Sequence, residues 1–455
     1  MSALGNSNPE NIEYLKNCNF PTNNSIFLTP ATESEVVNCI LSLKDSSSPD
    51  VYDICAKPIK RISSFISKPL AFLNKCIDQG VFPKCLKIAK VIALYKKGEC
   101  DDINNFRPIA VLPVLSKVFE MVLKNRLLNF FESNNLFADE QFGFRKHKST
   151  SKAVLSIVNY ILENLDIGHI TCASLIDLSK AFDCVNHSLL LEKLYFYGVR
   201  GISHDLLRSY LSDRFQSVYE KENMSDRKQI NIGVPQRSIL GPLLFLIFIN
   251  DLPKNSGANK AVLFADDTTL LNHSSNVNEL ISLEKDSLDQ LKKWLSSNRL
   301  LMNKDKTQSI AFSLNSEVNW AYNVKCLGFT LDRKLTWQCH VEILAKKLNI
   351  RIFQLRKLVT YCSFSAAKIF YHSNVHSLIC YGLILWGSST HATRIFALQK
   401  RAIRILCKTH DQRTHCRPLF KKLKILSLPS LYIYTSDSLT CTRKSSNVCK
   451  KCGRP

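Results

Sequence analysis

The stretch Ala261-Val-Leu-Phe-Ala-Asp-Asp-Thr-Thr-Leu-Leu271 decides the fold prediction for this 455-residue chain. Its two adjacent carboxylates, Asp266 and Asp267, lie between two short apolar runs. Short apolar runs bounded by polar residues predict strands, so we expect the carboxylates in the tight turn of a hairpin inside a packed sheet. Two like charges there are unfavourable unless a cation offsets them. Asp oxygens are hard ligands, which indicates Mg²⁺ as the counter-ion, with Mn²⁺ as a substitute.

A further acidic residue follows another predicted strand, in His169-Ile-Thr-Cys-Ala-Ser-Leu-Ile-Asp-Leu-Ser-Lys-Ala-Phe-Asp183. The β-type run ends on Asp177, after which the spacing becomes helical. Taken alone, the Asp266–Asp267 pair fits an ordinary surface turn equally well. An Asp at the end of one strand beside an Asp-Asp hairpin can instead hold two divalent ions, which is the arrangement used for in-line nucleotidyl transfer. This interpretation requires the two elements to lie side by side in one sheet.

Several ordered motifs together resemble the reverse transcriptases, and more narrowly those of non-LTR retrotransposons of the LINE and jockey type. The palm motifs of that family are similar to Asp177 within IDLSKAFD, to GVPQ at residues 233–236 and to FADD at residues 264–267. Longer segments that also look like the family are residues 96–120, 141–145, 243–253 and 327–337. The resemblance covers roughly residues 35 to 410.

The resemblance implies an α+β fold of the right-hand polymerase type, with fingers and palm followed by a mostly α-helical thumb and a short basic tail. The expected divisions are a loose lead-in at 1–30, a helical N-terminal extension of the fingers at 31–86, fingers and palm at 87–337, the thumb at 338–410 and a basic, Cys-containing tail at 411–455.

The implied activity is RNA-directed DNA synthesis, which copies element RNA into DNA at a nicked target. Asp177, Asp266 and Asp267 would bind two Mg²⁺ ions for a two-metal mechanism. The implied partners are an RNA template, a DNA primer or target DNA, and dNTPs. Such elements commonly carry an endonuclease on the same polypeptide. Because the segment before residue 90 is too short for that domain, we expect a separate endonuclease activity to be required.

The resemblance also implies roles for residues around the three Asp side chains. Lys96 and Arg107 would flank one cleft if their strands pair, and would bind the triphosphate of an incoming nucleotide. Phe182 would lie beneath the sugar and exclude a 2′-hydroxyl, and Gln236 would lie near the template and the sugar. Lys306 would protonate departing pyrophosphate. Without the resemblance, the alternatives are a solvated basic hairpin, a core aromatic and an ordinary surface lysine.

Positive charge is concentrated near the end of the chain. The formal net charge is +23, and residues 343–455 carry 21 Lys or Arg against only Asp411 and Asp437. Nucleic acid is the first explanation, and an anionic membrane surface is the second, although no lipid-anchoring motif accompanies it. The cations expected to contact a template–primer backbone from the thumb are Lys346, Lys347, Arg351, Arg356 and Lys357. Upstream of them, Leu327 and Gly328 resemble the primer-gripping hairpin.

One position departs from the family pattern. The family has GVPQGS, whereas this chain has GVPQRS, with Arg237 in place of a glycine. Glycine occurs where the backbone needs a positive φ or a ligand approaches closely, so Arg237 is expected to strain the loop or obstruct the template.

Two alternatives to an active reverse transcriptase stay open. One is a catalytically decayed, truncated copy that retains only nucleic-acid binding, and the other is a maturase- or telomerase-like relative with the same palm chemistry.

Cysteine usage and hydropathy bear on the compartment. The 17 cysteines are unevenly spaced and the start, MSALGNSNPENIEYLKN, shows no secretory leader, which indicates reduced thiols of a cytosolic or nuclear protein. The most apolar run, ILGPLLFLIFI from Ile239, is about half of the ~20 residues needed to span a bilayer and predicts a buried helix. Cys449 and Cys452 have metal-ligand spacing, but further ligands in register are missing, so no zinc is predicted.

Overall fold

The computed structural model of the protein describes residues 9–16, 24–46, 48–65, 67–96, 98–220, 223–235, 237–313, 320–409 and 414–437. By their internal contacts these residues fall into two units. Unit 1 contains the residues up to Ser149, Ser174–Asn272 and Ile281–Thr307. Unit 2 contains Thr150–Ala173, His273–Leu280 and the residues from Gln308 onward. The domain boundaries expected from the resemblance stay a prediction.

Helices and strands alternate along most of the chain. The helices, in chain order, are α1 (Pro9–Lys16), α2 (Glu33–Ser42), α3 (Ala56–Arg61), α4 (Ser67–Gln79), α5 (Val114–Ser133), α6 (Thr150–Asp166), α7 (His187–Phe196), α8 (Ile202–Leu211), α9 (Gly241–Phe248), α10 (Leu252–Asn255), α11 (Val277–Ser297), α12 (Gln338–Tyr361), α13 (Phe364–Phe370), α14 (Ser377–Cys380), α15 (Leu383–Trp386), α16 (Ala392–Leu406) and α17 (Cys416–Leu423). Residues 428–437 are also helical. Shorter turns of 3₁₀ or π type are Ser63–Phe65, Lys84–Lys87, Ile103–Asn105, Ala181–Asp183 and Tyr371–His376.

The strands, in chain order, are β1 (Ile88–Tyr95), β2 (Phe106–Val111), β3 (Ile170–Ile176), β4 (Arg214–Glu220), β5 (Asn223–Met224), β6 (Lys228–Ile230), β7 (Lys260–Phe264), β8 (Asp267–Ser274), β9 (Gln308–Phe312), β10 (Asn323–Cys326) and β11 (Phe329–Asp332). The mixture of helices and strands agrees with the α+β part of the fold prediction.

A five-stranded sheet in unit 1 is built around β1. This strand pairs antiparallel with β2 and parallel with β4, and β4 also pairs with β5 and β6. The sequence of β1, IAKVIALY, is rich in aliphatic residues that fit a pleated, half-buried surface. The pairing on which the predicted basic cleft depends is present, because Leu94 of β1 lies opposite Arg107 of β2.

The stretch around Asp266 forms the predicted hairpin. β7 and β8 pair antiparallel from Lys260 opposite Leu271 to Phe264 opposite Asp267, which leaves Ala265 and Asp266 as the two-residue turn. Next to β8 in the same sheet lies β3. The strand that leads to Asp177 and the strand that begins at Asp267 are therefore neighbours, as the sequence interpretation required.

The core of unit 1 forms around α9, whose sequence GPLLFLIF is apolar on every side. Almost every residue of this helix is fully buried, including Phe245 and Phe248. A helix that is apolar all round is stable in water only when it is surrounded by other elements. The prediction of a buried helix is confirmed, and no helix in the described part of the chain has both the length and the apolar character needed to cross a membrane.

Unit 2 is mostly helical. Its longest helix, α12, packs along α16 and against the β10–β11 hairpin, and the side chains of Tyr371 and Trp386 are completely buried. β9 pairs with β3. None of the cysteines that the structure describes, in either unit, forms a disulfide.

Candidate active site

The turn that carries Asp266 has an unusual backbone. Ala265, the first residue of the turn, has φ = +55°. Two-residue hairpin turns match the twist of their strands when a central residue has positive φ, and Ala265 fills that role without being a glycine. Asp266 follows as the second turn residue, and Asp267 is the first residue of β8. The two carboxylates are thus carried by a short, defined turn.

This turn is held from below by the segment Gln141–Gly143. The side-chain Oε1 of the buried Gln141 accepts hydrogen bonds from the backbone N–H of Ala265 (3.0 Å) and of Gly143 (2.8 Å). The backbone of Phe142 donates to the carbonyl of Leu263 at 2.7 Å. A Cβ on Gly143 would collide with the backbone nitrogen of Ala265, so this segment needs glycine for close approach.

Asp177 lies directly after β3, beside the segment that carries Lys306. The carbonyl of Asp177 accepts from the backbone N–H of Asn303 at 2.8 Å, and the N–H of Ser179 donates to the carbonyl of Leu301 at 2.8 Å. This pairing brings Lys306 to Asp177, where its Nζ lies 3.2 Å from Oδ2. The Lys306 side chain is 66% exposed.

The three carboxylates act on one another electrostatically. Partial burial raises the pKa of Asp267 to about 6, and the charges of Asp266 and Asp177 add to the rise. The pKa of Asp266 is also raised, chiefly by burial and further by Asp177, while Arg107 opposes that rise. Asp267 is exposed as a residue although its carboxyl group is partly shielded, so water weakens the effect without removing it. Three acidic groups share one region of negative potential.

The chemistry of this donor set fits a hard divalent cation, because carboxylate oxygens are the ligands that Mg²⁺ and Mn²⁺ prefer. A cation would also relieve the repulsion that, together with burial, raises the pKa values of Asp266 and Asp267. In the part of the chain that the structure describes, no three His, Cys, Asp or Glu side chains form a ready-made cage for one ion. Asp177, Asp266 and Asp267 thus lie near enough to interact electrostatically, but their carboxyl groups do not form a closed coordination shell.

Arg107 lies on β2, and Lys96 directly follows β1, the strand paired with it. Both side chains are exposed, and Arg107 is close enough to Asp266 to oppose the rise of the pKa of Asp266. The backbone N–H of Lys96 donates to the carbonyl of Asn105 at 2.8 Å, which extends the β1–β2 pairing to the turn. Arg107 therefore interacts electrostatically with Asp266. Lys96 lies two residues beyond Leu94, the residue of β1 that is opposite Arg107.

Phe182 is half-buried in the short turn Ala181–Asp183. Its ring stacks on the ring of Phe245 with centroids 4.4 Å apart, and its carbonyl accepts from Val234 N–H at 2.9 Å. Gly233 has φ = +82°, and a Cβ there would lie 2.7 Å from the carbonyl oxygen of Asp183. The segment after Asp177 is therefore packed directly against the GVPQ segment. Gln236 itself lies outside the described residues.

Arg237 adopts the conformation expected of the glycine that it replaces. Its φ is +64° and its side chain is exposed. The left-handed region costs an L-residue roughly 1–2 kcal/mol. Arg237 therefore replaces the glycine of the family motif at a position where the backbone conformation favours glycine.

The residues that follow Arg237 are fixed by a buried carboxylate. Oε2 of Glu120, on α5, accepts from the backbone N–H of Ile239 (2.7 Å) and of Leu240 (3.2 Å), and Ser116 donates to Oε1 at 3.2 Å. Burial raises the pKa of Glu120, and the nearby Arg214 guanidinium and these N–H groups partly offset that rise. Glu120 thus satisfies N–H groups at the start of α9 that have no partner within the helix.

In unit 2, Leu327 and Gly328 form the turn between β10 and β11. Both have positive φ, +47° and +86°, as a two-residue turn of this kind requires. The Tyr381 hydroxyl donates to the carbonyl of Leu327 at 2.7 Å, and the Tyr381 ring stacks on Phe329 at 4.8 Å. The hairpin tip is therefore held by the helical part of its own unit.

The basic residues predicted to contact nucleic acid lie on α12. Four of them are exposed and Arg351 is half-buried, with its Nη1 donating to Gln354 at 2.9 Å. The full set is Lys346, Lys347, Arg351, Arg356 and Lys357. The opposite side of α12 is buried through residues such as Leu344, Leu348 and Ile352. The cations thus lie on the solvent side of an amphipathic helix. The cysteines of the tail, Cys441, Cys449 and Cys452, lie outside the described residues.

Sequence reasoning did not identify Gln141, Glu120 or Tyr381. Gln141 falls within the QFGFR segment, which resembles the family, but the sequence alone does not indicate what this glutamine contacts. Glu120 had one available signal, its position in the apolar run VFEMV at residues 118–122 of α5, because an acid is rarely buried unless it is paired. Tyr381 offered no signal, because its partners lie more than fifty residues away in the sequence.

Comparison with known proteins agrees with this geometry. Residues 94–331 match the family described as "Reverse transcriptase (RNA-dependent DNA polymerase)". The chain is 31% identical over 427 residues to "Probable RNA-directed DNA polymerase from transposon BS" of Drosophila melanogaster. The aligned region covers 87% of this chain and 46% of that protein. It is 29% identical to "RNA-directed DNA polymerase from mobile element jockey" of the same species, over 86% of this chain and 45% of that protein.

A third relative is "Probable RNA-directed DNA polymerase from transposon X-element", also of Drosophila melanogaster, with 26% identity over 83% of this chain and 44% of that protein. The chain therefore spans less than half the length of each of these relatives. The residues that match the family, 94–331, include Asp177, Asp266 and Asp267.

Proposed function

Because this chain belongs to the reverse transcriptase (RNA-dependent DNA polymerase) family, we propose that it is the RNA-directed DNA polymerase of a non-LTR retrotransposon. It would copy element RNA into DNA by template-directed nucleotidyl transfer. Reverse transcriptases depend on divalent metal ions. The observation that carries the proposal is that Asp177 lies close enough to Asp266 and Asp267 for its charge to add to the rise of both their pKa values, beside a basic hairpin.

The three carboxylates would hold two Mg²⁺ ions, with Mn²⁺ as a substitute. When bound, such ions neutralise the triphosphate and lower the pKa of the primer 3′-hydroxyl. The hairpin turn fixes the positions of Asp266 and Asp267, and the backbone pairing at Asn303 fixes that of Asp177. Lys306, which contacts Asp177, would donate a proton to the departing pyrophosphate.

Residues on the neighbouring elements would bind the incoming nucleotide. Arg107, and with it Lys96, would contact the triphosphate, since guanidinium groups bind phosphate through paired hydrogen bonds. Phe182, held by its stack on Phe245, would lie beneath the sugar and exclude a 2′-hydroxyl. Gln236 would lie near the template and the sugar. Each assignment comes from the family resemblance, and the contacts described above for Arg107 and Phe182 are compatible with their assignments.

The architecture that accompanies this function is a right hand. In this proposal residues 87–337 are fingers and palm, preceded by a helical extension at 31–86, and residues 338–410 are a helical thumb. Leu327 and Gly328 would grip the primer strand. The cations of α12 would contact the duplex backbone without reading its sequence. The basic tail from residue 411 would add nonspecific affinity.

The partners of the reaction would be an RNA template, a DNA primer or a nicked target DNA, and dNTPs. Synthesis at a chromosomal target needs a nick, and we propose that a separate endonuclease activity supplies it. The names of the relatives do not favour the alternative of a decayed copy that only binds nucleic acid.

Primer extension on an RNA template with dNTPs and Mg²⁺ tests the proposal. Incorporation should fall by ~10³-fold in Asp266→Asn, since loss of a metal ligand removes several kcal/mol of transition-state stabilisation. Asp205→Asn is the matched control, because Asp205 is an exposed carboxylate on α8 that pairs only with its helix neighbour Arg208 in the contacts seen. Salt-sensitive nucleic-acid binding without incorporation in the unmodified protein would overturn the proposal.

A further inference from the structure

A second basic region lies in unit 2 on α16 and α17, and Arg356 is the one α12 cation assigned above to the duplex that also lines it. Helices α16 and α17, with the turn after α17, enclose a hollow of about 830 Å³. The cations that line it are Lys400, Arg404, Arg417, Lys421 and Lys424. Among the described residues that line the hollow there is no carboxylate. These cations attract an anion, and none of the described lining residues carries a negative charge that would repel it.

Aromatic rings lie among these cations. Phe396 and Phe420 both line the hollow, with their centroids 6.5 Å apart and their planes inclined by 34°. Nζ of Lys400 lies 4.1 Å from the centroid of Phe396. Phe396 is only half-buried, so its ring is accessible from the hollow. An aromatic face beside a cation is suited to a flat ring that carries an attached phosphate.

A second hollow of about 1000 Å³ continues the same surface. Its lining includes the cations Arg356, Arg401, Arg404 and Lys408, again without a carboxylate among the described lining residues. Arg404 lines both hollows, and its Nε donates to the carbonyl of Thr414 at 3.2 Å, which fixes its position. The two hollows are therefore adjacent on α16, with Arg404 in the wall of each.

We propose that these two hollows bind a single-stranded nucleic acid, with an unpaired base on Phe396 and its phosphates on Lys400, Arg404 and Lys421. The ligand is a polyanion because the described lining residues of both hollows include several cations and no carboxylate. It is single-stranded because a base must be unpaired to stack on a side chain. The cations surround concave spaces, whereas a flat bilayer surface would contact only their rims.

This site goes beyond the proposed polymerase activity, since it requires no catalytic residue. Because Asp266→Asn removes incorporation without touching α16 or α17, the two proposals fail separately. Binding is measured by fluorescence anisotropy of the full chain with a labelled short single-stranded RNA, the same strand as DNA, and the corresponding duplex. Excess unlabelled RNA–DNA primer–template occupies the polymerase cleft during the titration.

The decisive variant is Lys400→Glu with Lys421→Glu. Single-strand binding should weaken by more than ~10-fold at ~0.1 M salt, and the slope of log K against log salt should fall by about 1.4 for two lost phosphate contacts. The matched control is Arg394→Glu with Lys368→Glu, which also replaces two cations by carboxylates but at positions that line neither hollow. Equal behaviour of the two proteins would overturn the proposal.

Phe396 separates stacking from charge. Phe396→Ala should weaken single-strand binding by ~10-fold while leaving the salt slope unchanged, and Phe396→Trp should restore the affinity. An equal loss of duplex binding would identify a duplex site instead. Binding to anionic vesicles that depends on Lys400 and Lys421, without an effect on RNA or DNA, would identify a membrane surface instead.

A measurement on the unmodified protein completes the test. Single-stranded RNA should protect Lys400 and Lys421 from chemical acetylation, whereas Lys368, which lines neither hollow, should react at the same rate with and without RNA. Unchanged acetylation of Lys400 and Lys421 under saturating RNA would overturn the proposal, whatever the variants do.

Discussion

Nζ of Lys306 lies 3.2 Å from Oδ2 of Asp177, although the two residues are 129 positions apart in the sequence. The backbone pairing of residues 301–303 with residues 177–179 produces this contact. If Lys306 serves as the proton donor to pyrophosphate, Lys306→Met should lower kcat for nucleotide incorporation by ~10²-fold, within the range for general acids. Single-turnover primer extension measures the change.

The matched control is Lys304→Met, an exposed lysine two residues earlier in the same loop. It should leave kcat within about twofold, because its loss removes surface charge only. A similar fall in both variants would show that the loop needs its net charge and would contradict a specific role for Lys306.

The acidic cluster predicts a pH dependence of metal-free stability. The pKa of Asp267 rises from 3.8 to about 6 on folding, so between these values the folded protein holds a proton that the unfolded chain has released. Stability without metal should therefore fall as pH rises through this window. Thermal melts from pH 4.5 to 7.5 in EDTA measure it, and Asp267→Asn should flatten the profile.

Magnesium should reverse that trend. Metal binding needs the deprotonated carboxylate, so the increase in Tm produced by MgCl₂ should be small below about pH 6 and grow above it. A Mg²⁺-dependent increase of the same size at pH 5 and pH 7.5 would contradict the assignment of Asp267 as a ligand.

Arg237 predicts that one substitution improves the protein. Arg237→Gly should raise the free energy of unfolding by ~1 kcal/mol, because glycine adopts positive φ without the steric cost that an L-residue bears. If the strained loop limits catalysis, incorporation should rise as well. Chemical denaturation and primer extension measure the two effects.

Arg237→Ala is the control for this prediction, since it removes the same side chain but keeps the steric cost at φ = +64°. The alanine variant should show no gain in stability. A gain of equal size in both variants would assign the effect to the arginine side chain and its charge.

Gln141 is expected to support the catalytic turn. Gln141→Leu leaves the N–H groups of Ala265 and Gly143 without their acceptor, which should cost ~1–3 kcal/mol of stability. It should also lower kcat more than it raises KM for dNTP, because the turn holds two of the proposed metal ligands and none of the residues proposed to contact the nucleotide. Gln229→Leu, at an exposed edge-strand position, should change neither quantity.

The sequence was sufficient to predict the Asp266–Asp267 hairpin because the determinants are local. Two apolar runs separated by a two-residue turn specify both strands, and the buried helix α9 follows from eight consecutive residues. The pairing of Lys96 with Asn105 and of Leu94 with Arg107 likewise follows from two short strands joined by a polar turn.

The supporting interactions of the site depend on distant partners that the sequence does not specify. Glu120 meets Ile239 only because α5 and α9 share a core, and Gln141 meets Ala265 only because two loops approach within hydrogen-bonding distance. Local patterns carry no information on such contacts. The glycine preference at Arg237 is a backbone property, and only comparison with the family motif indicated it before the structure did.

The chain between Val234 and Ile239 is anchored at both ends, by Phe182 on one side and by Glu120 on the other. A segment fixed in this way cannot lengthen or shorten without breaking an anchor. Side-chain replacement should therefore be the tolerated form of variation here, while insertion or deletion of even one residue should uncouple the loop from α9. Divergence among copies of such an element would be confined at this place to changes of residue type, as in the exchange of glycine for arginine.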